Sequence, residues 1–590
     1  MAALAASAFA ESPAIVRYTI SLASPEQHLV RITLQVPPGA DERDLQLPVW
    51  NALYQVRDFA QYVNRVEARS ADGERLSLRL MDKSRWRIHG AAQGAQVTYE
   101  ISADLVGPFG MQLNGQHAFF NFAEMLMYPV DDRNAAFEVQ FNQIPASWKI
   151  ATSLAAVSPN TFGASGYDRL VDAPVELGNF RESDFKEGNA TYRVVVDAEP
   201  SDYDIDKLTG TIRRIVHAAN GWMNDQPLDH YLFIYHFPRV GGAGGMEHAY
   251  STAIDVNAQV LKDNYQRFVD VTAHEFFHLW NVKRIRPQSL EPVDYTKENY
   301  TTALWFSEGV TTTAGQYILL RAGLNDEARF LQHLADEIEA LEFRSAHLVQ
   351  SAEQSSWDAW FEKYPYYRLP DRSISYYNKG DLLGVLLDLK MREASGGKAA
   401  LRDLFHTLNK EYAQQGRYFN DSATVREVAE SLSHADLRSF FERYVAGTEP
   451  IPWDDFFRSV GLHVVQATQK VPDVGFTIVR DPNGRITVGQ VGGNSAVARA
   501  GLLPGDAILE LNGETAGPDF EQKLNRLAPG DTVHLKVRDS HREQKIHWKV
   551  DAREEVAFEL KDVDNITPQQ KARRAAWLSG ESESSGEAHP

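Results

Sequence analysis

His274 and His278 stand four residues apart in the run HEFFH. On a helix that spacing puts both imidazoles on one side, one turn apart. Two ring nitrogens can then hold a single Zn2+. Glu275, beside the first histidine, lies where it can take a proton from a water activated by such an ion. The same five residues also fit a pair of helix histidines packed beside Phe276 and Phe277, so the pattern needs company. A catalytic Zn2+ usually takes three protein ligands and leaves one position for water. The chain has no cysteine, so the third ligand must be a histidine or a carboxylate. Glu308, in ALWFSEGVTTT, is the first choice, because an unpaired carboxylate in an apolar helix is costly and a metal removes that cost. Glu298, in KENY, is the alternative, in what reads as an exposed approach to the same helix.

Holding such residues in place needs rigid elements, and the patterning supplies them. From about Ala14 to Val196, apolar and polar residues alternate in RYTISL, HLVRITLQV, RLSLRL, QVTYEIS, FEVQF and YRVVVDA. This predicts an N-terminal β domain over 14–198. Residues 199–324 are expected to form a mixed catalytic domain: an amphipathic helix, the buried strand HYLFIYHF, a Gly-rich turn, the HEFFH helix and a helix ending near Arg321. Helical periodicity dominates 325–460 and predicts a bundle. Short strands return over 461–555, and 556–590 reads as a largely disordered tail. The fold class is multidomain α+β.

Composition narrows the partners. The 590 residues carry 60 basic and 80 acidic side chains, a net charge of -20. That argues against nucleic acid and against an anionic membrane surface. No stretch reaches the ~18 apolar residues of a membrane span. Ala8 and Ala10 form an A-x-A pattern within 1–13, which reads as the remnant of a secretory signal and predicts a periplasmic or secreted protein.

HEFFHLWN followed by WFSEG resembles the gluzincin pattern of the aminopeptidase N family. Twenty-nine residues separate His278 from Glu308, more than in that family. With this longer gap, HEFFHLWNVKRIRP resembles the glycyl aminopeptidase family of PDZ-containing bacterial zinc peptidases, and the likeness covers most of the chain. It implies a thermolysin-like catalytic domain and one Zn2+ per chain on His274, His278 and Glu308. It also implies release of N-terminal Gly, or Ala, from peptides with a free N-terminus. The run Gly244, Gly245, Met246, Glu247, His248 resembles the GAMEN exopeptidase motif, a strand lining the substrate cleft. Glu247 inherits the role of binding the substrate's α-amine, and His248 stands where the motif has Asn. Tyr377, in YNKG, resembles the tyrosine whose hydroxyl donates to the tetrahedral oxyanion; Tyr376 is the adjacent alternative. Glu124 is a candidate second amine anchor, or a structural carboxylate. Arg284 and Arg286 could bind a carboxylate or lie solvated.

Gly475-Phe476-Thr477-Ile478 resembles a carboxylate-binding loop, and SAVARAGLLPGDAILELNGE resembles a stretch of bacterial protease PDZ domains. The resemblance implies capture of a C-terminal peptide by strand addition; a closed packing module is the alternative. Two further readings stand beside the aminopeptidase: an endopeptidase on the same zinc site, and a non-catalytic PDZ adaptor. GGMEH weighs against the first, because an amine anchor penalises internal bonds. The joint presence of Glu275, Tyr377 and all three ligands weighs against the second.

Overall fold

The computed structural model describes residues 15–51, 54–481, 484–539 and 542–581. The A-x-A segment and the last part of the tail, from residue 582, lie outside the described residues. The chain forms two units, residues 1–463 with 562–590, and residues 464–561.

Strand alternation builds the first part of the larger unit. Val16, Tyr18 and Ile20 of Ile15–Ser21 point inward, as do Val30, Ile32 and Leu34 of Leu29–Val36 and Val97, Tyr99 and Ile101 of Ala95–Ser102. These strands lie in a seven-stranded sheet, whose inward row supplies the core. A four-stranded sheet beside it contains β1 (His117–Phe120) and β2 (Val175–Gly178), paired antiparallel.

The next sheet has five strands: β3 (Arg181–Glu187), β4 (Ala190–Asp197), β5 (His230–His236), β6 (Ala243–Glu247) and β7 (Ser251–Val256), in the order β3-β4-β5-β7-β6. The expected boundary at residue 198 is therefore corrected. Alternation marks β3 and β4 as strands but does not say which sheet they join. β4 runs parallel to β5, and β5 parallel to β7. The unbroken apolar run Val194–Val196, all buried, is the mark of such a sheet, covered on both faces. Phe119 and Ala151 of the four-stranded sheet pack on Leu232, Ile234 and Ala253 of this one.

Helices cover the sheet. α1 (Ile205–Met223) starts where the Asp204 side chain accepts from the amides of Asp206 and Lys207, and it buries Leu208, Ile212, Ile215, Ala219 and Trp222. α2 (Tyr265–Phe277) carries the HEFFH run up to its C-cap, His278, α3 (Val310–Arg321) follows Glu308, and α4 (Tyr376–Ser395) carries Tyr377. α4 buries an almost continuous apolar run from Leu382 to Leu389, as expected of a central helix packed on all sides.

The tail is a second correction. Asp551–Asp562 is a strand paired with Leu462–Asp473, and α5 (Pro568–Ser579) is capped by Thr567. Its low apolar content hid one anchor: Trp577 is fully buried, and its indole donates to the Tyr317 hydroxyl at 2.8 Å. The smaller unit has a six-stranded sheet with the short helices Ala496–Arg499 and Phe520–Leu524, around Phe476, Val488, Val497, Leu535 and Trp548. Among the described residues no helix is long and apolar enough to cross a membrane.

Candidate active site

His274 sits on the last turn of α2 and His278 caps its end, with their Nε2 atoms 3.1 Å apart. Glu308 reaches them from a π-helical turn, Trp305–Gly309, just before α3. Its Oε2 lies 3.5 Å from His274 Nε2 and 3.3 Å from His278 Nε2. Such single wide turns recur at functional sites. Burial works against charge on Glu308, but His278 and His274 overcome it and hold the carboxyl below its ordinary value. Glu298 belongs to none of the metal-capable clusters among the described residues.

The candidate ligands are held from behind. His278 Nδ1 donates to the Asn281 carbonyl at 2.6 Å, which turns its Nε2 toward the centre. The Asn281 amide donates to the Phe306 carbonyl at 2.9 Å and to Thr311 Oγ1 at 3.0 Å, tying the end of α2 to the Glu308 turn. Thr312 Oγ1 lies 3.2 Å from His274 Nδ1. Sequence reasoning passed over Asn281 and Thr312, although both sit in the motifs already singled out. A polar residue one turn from a ligand was the available signal.

Glu275 is buried, and its Oε2 has no hydrogen-bond partner among the described residues. Burial raises its pKa to about 8, reinforced by Glu247 and Glu308. The strand β6 passes directly over it, and a Cβ on Gly245 would overlap the Glu275 carboxyl. Only glycine lets the strand come that close. Glu247, the last residue of β6, forms a cluster with Glu275 and His278 whose ligand atoms lie within 4.8 Å of one another.

Behind Glu247, Lys283 Nζ lies 3.9 Å from its carboxylate and 3.0 Å from Asp172. Asp172 also accepts from the Ala249 amide at 2.8 Å and lies 3.2 Å from His248 Nδ1. His248 is thus a buried support for the strand end. A cavity of about 230 Å3 opens here, lined by Trp50, Tyr54, Met246, Glu247, Lys283 and Tyr295 among others. The NVKRIRP cation that faces the carboxylates is Lys283. Arg284 donates to the Leu279 carbonyl, whereas Arg286 pairs with Glu291 and lines the same cavity. Glu124 is fully buried, accepts from Asn51 at 2.9 Å and lies 3.3 Å from Arg57.

Tyr377 occupies the first turn of α4, where the Ser375 hydroxyl accepts from its amide. Its ring lies 6.0 Å from that of His274, centre to centre. Desolvation and the Glu308 carboxylate raise its phenol above the ordinary value, so it stays a donor. Tyr376 is buried beneath it, with ring centres 4.8 Å apart.

Residues 17–179 match the peptidase M61 N-terminal domain, and residues 267–383 match the M61 glycyl aminopeptidase. Residues 461–550 match the PDZ domain. The chain belongs to the M61 glycyl aminopeptidase family. The M61 peptidase match encloses His274, Glu275, His278, Glu308 and Tyr377, whereas β6 with Glu247 lies outside it. Among solved structures, the chain is similar to an aminopeptidase N family protein from Idiomarina loihiensis. The two share 25% identity over 95% of this chain and 100% of that one, with a TM-score of 0.83. An M1 zinc metallopeptidase from Deinococcus radiodurans shares 14% identity over 75% of this chain and 94% of that one, at a TM-score of 0.46. Native yeast LTA4 hydrolase shares 14% over 76% and 70%, at 0.46. The last two likenesses are too loose to inform the site. No curated protein matches the sequence.

Proposed function

We propose that this M61 peptidase is a zinc-dependent aminopeptidase that releases N-terminal Gly, or Ala, from peptides. The observation that carries this reading is the position of Glu247. It holds a carboxylate within 4.8 Å of Glu275 and His278. A substrate ammonium paired there brings the first peptide bond, and no later one, to the reacting groups. The preference for Gly or Ala rests on the family alone.

The donor set fits Zn2+: two imidazole nitrogens and one carboxylate converge, with no thiolate available. When bound, the ion supplies Lewis-acid polarisation of the scissile carbonyl and of the attacking water. Glu275 accepts a proton from that water and delivers it to the leaving nitrogen. The Tyr377 hydroxyl donates to the oxyanion as charge develops. Glu247 accepts from the substrate α-ammonium and sets the register.

The PDZ domain is assigned a C-terminal peptide ligand. A cavity of about 390 Å3, lined by Val474, Phe476, Ile478, Leu524 and Arg553, supports this. It lies along the strand Phe476–Arg480, which strand addition would extend.

The test is hydrolysis of Gly-, Ala- and Leu-p-nitroanilide beside their N-acetylated forms, with and without chelator. Chelator-sensitive cleavage of the free-amine compounds alone is expected, with Gly or Ala fastest. Equal cleavage of the acetylated forms would replace this reading with an endopeptidase.

A further inference from the structure

A second group of metal-capable side chains lies away from the candidate active site, between the four-stranded and five-stranded sheets. His117 on β1 and Glu176 on β2 come from the first sheet, and His236, at the end of β5, from the second. One ligand atom from each lies within 4.8 Å of the others. His117 Nδ1 is 3.1 Å from Glu176 Oε1, and His236 Nε2 is 3.0 Å from Glu176 Oε2. Tetrahedral Zn2+ with bonds of about 2.0–2.1 Å spaces its ligand atoms at roughly 3.3 Å, so these separations need only small adjustments.

One feature points to a metal rather than to a plain ion-pair chain. Asp255, paired in register with His236 on β7, accepts from His236 Nδ1 at 2.9 Å. A carboxylate behind an imidazole, fixing the ring so that the opposite nitrogen faces the centre, is the arrangement that orients metal-bound histidines. Glu176 is fully buried and Asp255 is 2% exposed, so their charge needs a cationic partner, imidazolium or metal. Asp197 Oδ2 lies 3.1 Å from His117 Nδ1 but stands outside the cluster of three ligand atoms. All three donors stand on strands that register and packing already fix.

We propose that His117, Glu176 and His236 form a second Zn2+ site that joins the N-terminal β domain to the catalytic sheet. Binding releases the ring protons that now bridge to Glu176, so affinity falls at low pH. Asp255 sits opposite Gly244 in the β6–β7 register. The ion would therefore also stiffen the strand next to the one that carries Glu247.

The test is Zn2+ stoichiometry of the full chain, stripped with chelator and retitrated by calorimetry. Wild type is expected to take two equivalents, and a His274→Ala/His278→Ala variant one. Adding His117→Gln, which keeps a hydrogen-bonding amide at that position, should remove the remaining equivalent while far-UV circular dichroism stays unchanged. X-ray absorption of the single zinc in the His274→Ala/His278→Ala variant needs no second-site mutation. It should show two imidazoles and oxygen donors. Saturation of wild type at one equivalent, no Zn2+ in the double variant, or a shell without imidazole would each overturn the proposal.

Discussion

Gly309 and Gly380 cross with their backbones touching: a Cβ on either would overlap the main chain of the other element. This crossing sets the start of α4 against the turn that carries Glu308, and so places Tyr377 beside the ligand cluster. Gly380→Ala must push the two elements apart. It is expected to cost about 1–3 kcal/mol of stability and to lower turnover together with Zn2+ affinity. Thermal melts read beside p-nitroanilide assays check this. Full activity with unchanged melting would show that the crossing does not set the site.

Glu275→Gln keeps the shape of the side chain and removes its basicity. The three ligand side chains remain, so bound Zn2+ by elemental analysis should be unchanged. Turnover is expected to fall by about 10²–10⁴-fold, the usual contribution of a positioned general base. Wild-type turnover in the variant would remove Glu275 from the reaction.

Much of this was legible in the sequence, for physical reasons. The His274–His278 spacing follows from helix geometry, Glu308 was marked by its apolar helix and the family resemblance, and the sheets followed from period-two alternation. What escaped depends on tertiary pairing. β3 and β4 look like any other strands until β5 is found beside them. α5 is too polar overall to announce itself, and its fully buried Trp577 shows only in the folded chain. The Asp172–Lys283–Glu247 network joins residues 111 positions apart at one end, and no local pattern signals that.

His333 lies 2.8 Å from Asp381, whose other oxygen accepts from Thr313 on α3 at 2.8 Å. Burial alone would lower the His333 pKa, but Asp381 overrides it and raises the value to about 9. The folded value exceeds the unfolded one, near 6.5. The stabilisation, on the order of 2–3 kcal/mol, is therefore full below about pH 6.5 and is lost as pH rises through 9. Denaturant melts of wild type and His333→Gln should differ most near pH 6 and converge above pH 9. A gap that does not change with pH would contradict this pairing.

Trp577 docks α5 onto α3, and Tyr317, which receives its N–H, donates in turn to Asp388 at 3.0 Å. Trp577→Ala leaves a large cavity beside Phe330 and Phe457. A cost of about 3–5 kcal/mol is expected, read as an earlier unfolding transition of the larger unit. A loss within experimental scatter would mean that α5 is a dispensable appendage.

Glu247→Ala tests the proposed exopeptidase register. Lys283 keeps its 3.0 Å contact with Asp172, so the variant removes the amine partner without stranding a buried cation. Removing one partner of a desolvated charge pair commonly costs 2–5 kcal/mol. The kcat/KM of Gly-p-nitroanilide should therefore fall by about 10²-fold or more. N-acetyl-Gly-p-nitroanilide makes no such pair, so its slow rate should hardly move. The ratio of the two is the decisive number, because damage to the metal site would lower both rates together. A collapsed ratio with bound Zn2+ intact assigns the anchor to Glu247. A preserved ratio moves it to another carboxylate, with Glu124 the next to mutate.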